Sequence, residues 1–132
     1  MTDALIEAAV AARHRAHAPY SRFLVGAALR CADGAIHAGC NVENAAYPQG
    51  VCAEAGAISA MVLAGGRQIT ELVIAAVGPA PCPPCGGCRQ KIREFAGPEA
   101  VIRMVDAHGN LLMQDTLGAL LPHSFGPQNL GF

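Results

Sequence analysis

Leu72-Val73-Ile74-Ala75-Ala76-Val77 is an unbroken apolar run with polar neighbours upstream and a glycine directly after it. A strand with one wet face alternates apolar and polar residues, whereas a strand covered on both faces can be apolar throughout. The run therefore predicts a covered strand, and the chain on either side supplies material to cover it. Upstream, Val51 to Ala64 mixes alanine with Ile58, Met61, Val62 and Leu63 and stops at Gly65-Gly66, which predicts a buried helix with a glycine cap. Downstream, Cys85 to Phe95 reads as helix and Val101 to Val105 as a further strand. Nearer the N-terminus, Val25 to Cys31 and Ala35 to Val42 flank Ala32-Asp33-Gly34, and the Asp-Gly pair suits a tight hairpin. Asp3 to Ala16 is alanine-rich, with Leu5, Ile6, Ala9, Val10 and Ala12 near helical spacing, and Ala18-Pro19-Tyr20-Ser21 ends it. Leu117, Leu120 and Leu121 predict a short last helix before Pro122, and His123 to Phe132 has no clear period. The order helix, hairpin, helix, strand, helix, strand implies an α/β sandwich with a mixed sheet. With no repeat, linker or low-complexity tract, residues 1–132 are expected to form one domain.

Composition narrows the function. Apolar residues make up 52% and charged residues 14%, which leaves a small domain with apolar surface for a subunit interface. The net charge of -1 and the dispersed nine Lys plus Arg offer no groove for a polyanion, so nucleic acid is not an expected partner. No window reaches the roughly 18 apolar residues of a membrane span, and Met1 to Val10 lacks the features of a secretory signal. The expected compartment is the cytoplasm, where the six cysteines serve as packing groups, ligands or catalysts rather than disulfides.

Cys85-Gly86-Gly87-Cys88 sets two thiols one helical turn apart, with glycines that leave room for an ion. Pro83 and Pro84 cannot continue a helix backward, so Cys85 is expected at a helix start, where backbone N–H groups favour thiolate. Cys52 falls near the start of the preceding helix and can aim at the same point. Three protein ligands leave one tetrahedral position open, the arrangement of a catalytic zinc. Glu54, two residues on, is a carboxylate placed to move protons without ligating. Cys31 and Cys40 lie in apolar strands and read as core residues. Cys82-Pro83-Pro84-Cys85 is itself a CxxC. An iron–sulfur run would need its fourth cysteine where Ile92 stands, but a closed structural zinc with Cys82 as fourth ligand stays open on spacing alone.

Several longer stretches resemble the small homotetrameric cytidine deaminase family. They are Ala18-Pro19-Tyr20-Ser21-Arg22-Phe23 leading into Val25-Gly26-Ala27-Ala28-Leu29, then Gly39-Cys40-Asn41-Val42-Glu43-Asn44-Ala45-Ala46-Tyr47-Pro48, Cys52-Ala53-Glu54, and Pro84-Cys85-Gly86-Gly87-Cys88-Arg89-Gln90. The resemblance implies a three-layer α-β-α sandwich around a mixed sheet of about five strands, with one zinc per chain in the three-cysteine form. It implies Asn41 and Glu43 on the ribose hydroxyls, Phe23 packed on the nucleoside and Ala53 offering backbone groups to the base. Ala45, Tyr47 and Phe125 are similar to residues that reach a neighbouring subunit's pocket, so composite sites in a homotetramer are implied. The implied reaction is hydrolytic deamination of cytidine and deoxycytidine in pyrimidine salvage. In it a zinc-activated water attacks C4 of cytosine while Glu54 carries protons to N3 and to the departing amine.

Three thiolates on a divalent ion leave a net negative charge that opposes water activation, and relatives of the three-cysteine form commonly carry Arg directly after Cys-Ala-Glu. Here that place is Ala55, followed by Gly56, so the two helix N-termini and Arg89 are the expected compensation. A deaminase of the same fold acting on another aminated base or nucleoside, aminoglycosyl nucleoside antibiotics included, is the alternative. Asn41 and Glu43 oppose it, because a sugar-binding pair has no use for a free base.

Overall fold

The computed structural model describes residues 3–132. Five strands form one sheet: β1 (Gly26–Cys31), β2 (Ile36–Cys40), β3 (Ile69–Ala75), β4 (Val101–Val105) and β5 (Leu111–Thr116), in the order β2-β1-β3-β4-β5. β1 is antiparallel to both β2 and β3, β3 and β4 run parallel, and β4 and β5 are antiparallel, so the sheet is mixed. The parallel pair needs a crossover, and helix α3 (Gly86–Arg93) lies in that connection. The expected covered strand sits at the centre of the sheet. Leu72 to Ala75 are each 1% exposed or less, which requires cover on both faces.

The period of two along the strands sorts the core. Ala27, Leu29, Leu72, Ile74, Ile102 and Met104 face Ala53, Ala57 and Met61 of helix α2 (Ala53–Leu63) and Ile92 of α3. Ala28, Val73, Ala75 and Val105 face Leu5 and Ala9 of helix α1 (Ala4–Arg13) on the other side. Three layers result, as the family resemblance implied. Two glycines permit the close helix approach: a Cβ on Gly26 would collide with the α1 backbone at Ala9 and Arg13, and one on Gly39 with the α2 backbone at Ala53 and Ala57.

Local differences from the sequence reading have local causes. α1 is capped by Asp3, whose carboxylate accepts from Leu5 N (3.0 Å) and Ile6 N (3.2 Å). It ends at Arg13 rather than Ala16 because His17 is drawn into a bridge: its N–H donates to Asn41 O at 3.0 Å and its carbonyl accepts Glu43 N at 2.8 Å. The Asp33-Gly34 hairpin turn forms with Gly34 at φ 90°. β5 had no counterpart in the periodicity. It is an edge strand whose Leu111 and Met113 stay exposed, so it carries no apolar alternation to read. Helix α4 (Leu117–Leu120) follows it, capped by the Thr116 hydroxyl.

Candidate active site

Two helix starts converge on one point. After β2 the chain pairs once more, Val42 and Val51 exchanging backbone hydrogen bonds of 2.9 Å, and this bridge delivers Cys52 to the N-cap of α2. Pro83 and Pro84 deliver Cys85, in an extended conformation at φ -65° and ψ 166°, to the N-cap of α3. Cys88 follows inside the first turn. The Cys52 and Cys85 sulfurs are 4.0 Å apart, and the sulfurs of Cys52, Cys85 and Cys88 all lie within 4.8 Å of one another. Three thiolates on a tetrahedral zinc with Zn–S near 2.3 Å would stand about 3.8 Å apart. The donor set and its spacing therefore fit one zinc ion with an open fourth position.

Cys82 is outside this set among the described residues. It is half-buried and packs against the core layer beneath α2 and α3, where burial pushes its thiol up. The four-cysteine alternative is therefore not what the fold assembles. Cys31 is buried in the same core, whereas Cys40, at the end of β2, is only half-buried.

Charge in the cluster is uneven. The Cys88 backbone N–H at the start of α3 is the main influence holding the Cys85 thiol below its ordinary value. Burial pushes Cys52 and Cys88 up, and in both cases neighbouring negative charge adds to the rise. Glu54, on the first turn of α2, is 4% exposed, and burial raises its carboxyl. Its own backbone N–H and then the Cys88 thiol oppose that rise most, and the Lys91 ammonium adds a smaller opposition. Lys91 folds back toward the start of α3, its Nζ 3.6 Å from where a Cβ on Gly87 would stand. Arg89 is engaged elsewhere: Nε donates to Pro84 O and Nη1 to Leu120 O, both at 2.7 Å, so it braces the segment before Cys85 against α4 without touching a thiol. The cation whose charge acts on the Glu54 carboxyl is thus Lys91, a residue that sequence reasoning passed over because it reads as an ordinary exposed helix lysine.

A cavity of about 390 Å³ opens beside the cluster, lined by Tyr20, Ser21, Glu43, Asn44, Tyr47 and Gly50. The thiols do not line it, but Gly50 is two residues from Cys52, so cavity and cluster adjoin along one segment. Glu43 Oε1 accepts Tyr20 N (3.0 Å) and Ser21 N (3.1 Å), and Oε2 accepts the Ser21 hydroxyl, which together hold the carboxyl below its usual range. Asn41 clamps the segment opposite: Oδ1 accepts Val25 N and Nδ2 donates to Phe23 O, each at 2.9 Å. Phe23 is 43% exposed and Tyr47 76% exposed, with Tyr47 set edge-on to Tyr20 at 6.1 Å. Ala53 is fully buried as the first residue of α2, and Ala45 is exposed. Phe125 is not brought to this cavity; it lies in a separate groove with Gln90 and Glu94, its carbonyl held by Gln90 Nε2 at 2.9 Å. Tyr20 and Ser21 line the cavity without having been singled out, although the Pro-Tyr-Ser turn that carries them was visible as a motif.

Known proteins are similar to this chain in sequence and fold. Residues 1–104 match the family model described as the cytidine and deoxycytidylate deaminase zinc-binding region. A cytidine deaminase of Sporosarcina psychrophila is 38% identical over 130 residues, covering 98% of this chain and 95% of the relative. One of Halalkalibacterium halodurans is 36% identical over 126 residues, covering 96% and 95%. The crystal structure of cytidine deaminase from Burkholderia pseudomallei superposes with a TM-score of 0.87 at 42% identity, over 95% of this chain and all of that one. With the three-thiol cluster, the buried carboxyl and the mixed five-stranded sheet in place, the chain belongs to the zinc-binding cytidine and deoxycytidylate deaminase family.

Proposed function

We propose that this protein hydrolytically deaminates cytidine and deoxycytidine to uridine and deoxyuridine with release of ammonia, as a step of pyrimidine salvage. The observation that carries the reading is the convergence of Cys52, Cys85 and Cys88 beside the buried Glu54. Zinc held by the three sulfurs supplies a Lewis acid that makes water a competent nucleophile near neutral pH. Glu54 takes a proton from the attacking water and delivers it to ring N3, which makes C4 electrophilic. It then passes the second water proton to the departing amine, so cytidine plus water becomes uridine plus ammonia. Burial suits one carboxyl to both tasks, since a raised pKa lets it hold the proton between steps. The two helix N-termini offset the excess thiolate charge, Lys91 acts on the Glu54 carboxyl, and Arg89 keeps the Cys85 segment in place.

Asn41 and Glu43 bind the sugar hydroxyls, Phe23 packs on the nucleoside, and Ala53 at the start of α2 presents backbone groups to the base. Ala45, Tyr47 and Phe125 serve a neighbouring subunit's pocket in a homotetramer. The exposure of Phe125 and its placing away from the Glu43 cavity support that division for Phe125, whereas Tyr47, though exposed, also lines the Glu43 cavity of its own chain. The work is assigned to the cytoplasm, and among the described residues no helix is long and apolar enough to cross a membrane. The test is loss of the cytosine ultraviolet band when zinc-quantified protein meets cytidine, deoxycytidine, cytosine and adenosine in separate reactions. Turnover of the two cytosine nucleosides alone is expected. Silence on both with one zinc bound per chain would overturn the reading, and sedimentation of a fully active monomer would remove the composite sites.

A further inference from the structure

Glu43 presents its carboxylate to the cavity under unusual constraint. Each carboxylate oxygen has two lone pairs. Oε1 spends both on the backbone N–H groups of Tyr20 and Ser21, whereas among the described residues Oε2 accepts only the Ser21 hydroxyl and keeps one lone pair free. A carboxylate tethered at one oxygen can swing about that tether, so the Ser21 contact decides where the free lone pair points. The same hydroxyl oxygen accepts the Phe23 N–H at 3.0 Å, which links the carboxylate to the backbone of the aromatic residue that packs on the nucleoside. Between them Arg22 sits at φ 61°, a left-handed conformation that a non-glycine residue adopts only when its surroundings hold it, and Arg22 N donates to Ala18 O at 2.9 Å.

We propose that Ser21 is a positioning residue of the sugar site, orienting the single free lone pair of Glu43 toward one substrate hydroxyl and fixing the Phe23 turn beside it. The inference rests on the assignment of Glu43 to the sugar made above. Preorganisation of this kind acts on affinity, since a carboxylate already aimed loses little freedom when substrate arrives. It leaves the proton transfers by Glu54 untouched.

Steady-state kinetics on cytidine would be measured for the zinc-loaded wild type, Ser21→Ala, Ser21→Thr, Glu43→Ala and the Ser21→Ala, Glu43→Ala double variant, with zinc content and Tm recorded for each. Ser21→Ala is expected to raise KM about tenfold, the size of effect of a hydrogen bond to a charged group, with kcat within about twofold and zinc content unchanged. Ser21→Thr, which keeps the hydroxyl, is expected to return KM to within about threefold of wild type. On the Glu43→Ala background the serine change is expected to add less than about twofold, because the group it positions is gone. An unchanged KM in Ser21→Ala, or a full effect persisting in the double variant, overturns the inference. A wild type silent on cytidine overturns it together with the functional reading, and is seen before any variant is compared.

Discussion

Gly39→Ala is the most direct test of how the fold carries the site. Gly39 lies on β2 where α2 crosses, and a Cβ there would collide with Ala57 N and stand 2.6 Å from Ala53 O and 2.7 Å from the Gly56 carbonyl carbon, where ordinary contact begins at 3.4 Å. Relief requires α2 to move by about 1 Å, since all three obstacles are backbone and no side chain can swing aside. Overpacking of this kind costs about 2 kcal/mol, which for a chain of this length lowers Tm by about 5–10 °C. The functional effect should be larger than the stability effect suggests. The displaced end of α2 carries Cys52 and Glu54, and a misplacement near 1 Å costs roughly a hundredfold in rate. Differential scanning calorimetry and cytidine turnover at a temperature well below both transitions separate the two. Gly34→Ala is the control. It also strains a glycine, at φ 90° in the β1–β2 turn, but nothing lies within 4 Å of its Cβ and the turn itself carries no site residue, so Tm should fall while kcat/KM holds. A Gly39→Ala enzyme with wild-type kcat/KM and a Tm within about 1 °C would refute the argument that this contact sets the place of the cluster.

Three further outcomes follow from the same geometry. Glu54→Gln should retain one zinc per chain yet lose about 10⁴-fold in kcat, because the amide can neither accept nor deliver the transferred proton, and near-normal turnover would exclude the carboxyl from that role. Cys85→Ala should lose zinc to a chelator that leaves wild type loaded, whereas Cys82→Ala should keep it; loss from Cys82→Ala would restore the closed four-cysteine site. Asp3 pairs with Arg103 at 2.7 Å, and that bond holds its carboxyl below the ordinary aspartate range. The group then contributes stability above the unfolded pKa and loses it as pH falls through the lowered folded value. Asp3→Asn keeps the α1 cap but not the charge, so at neutral pH it should be less stable by only about 0.5 kcal/mol, the aspartate being 39% exposed. The difference should close in strong acid, and a gap constant with pH would contradict the assignment.

What local sequence determines here is what local physics determines. The central strand was legible because Leu72 to Ala75 need cover on both faces, and α2 because its apolar residues end at Gly65-Gly66. The hairpin was legible from Asp33-Gly34. The metal set was legible because a CxxC at a helix start and a cysteine opening another helix are spacing properties, and because whole motifs resembled one family. Tertiary structure alone decided the rest, since the deciding partners are distant along the chain. β5 shows no periodicity because an edge strand is held by its neighbour β4, not by its own apolar pattern. Cys82 and Cys85 read alike as members of a CxxC, yet only packing turns one toward the core and the other toward Cys52. Arg89 and Lys91 are both cations after Cys88, and only the carbonyls of Pro84 and the remote Leu120 take Arg89 out of play. Ser21 reads as a turn serine until Glu43, 22 residues on, is brought against its hydroxyl.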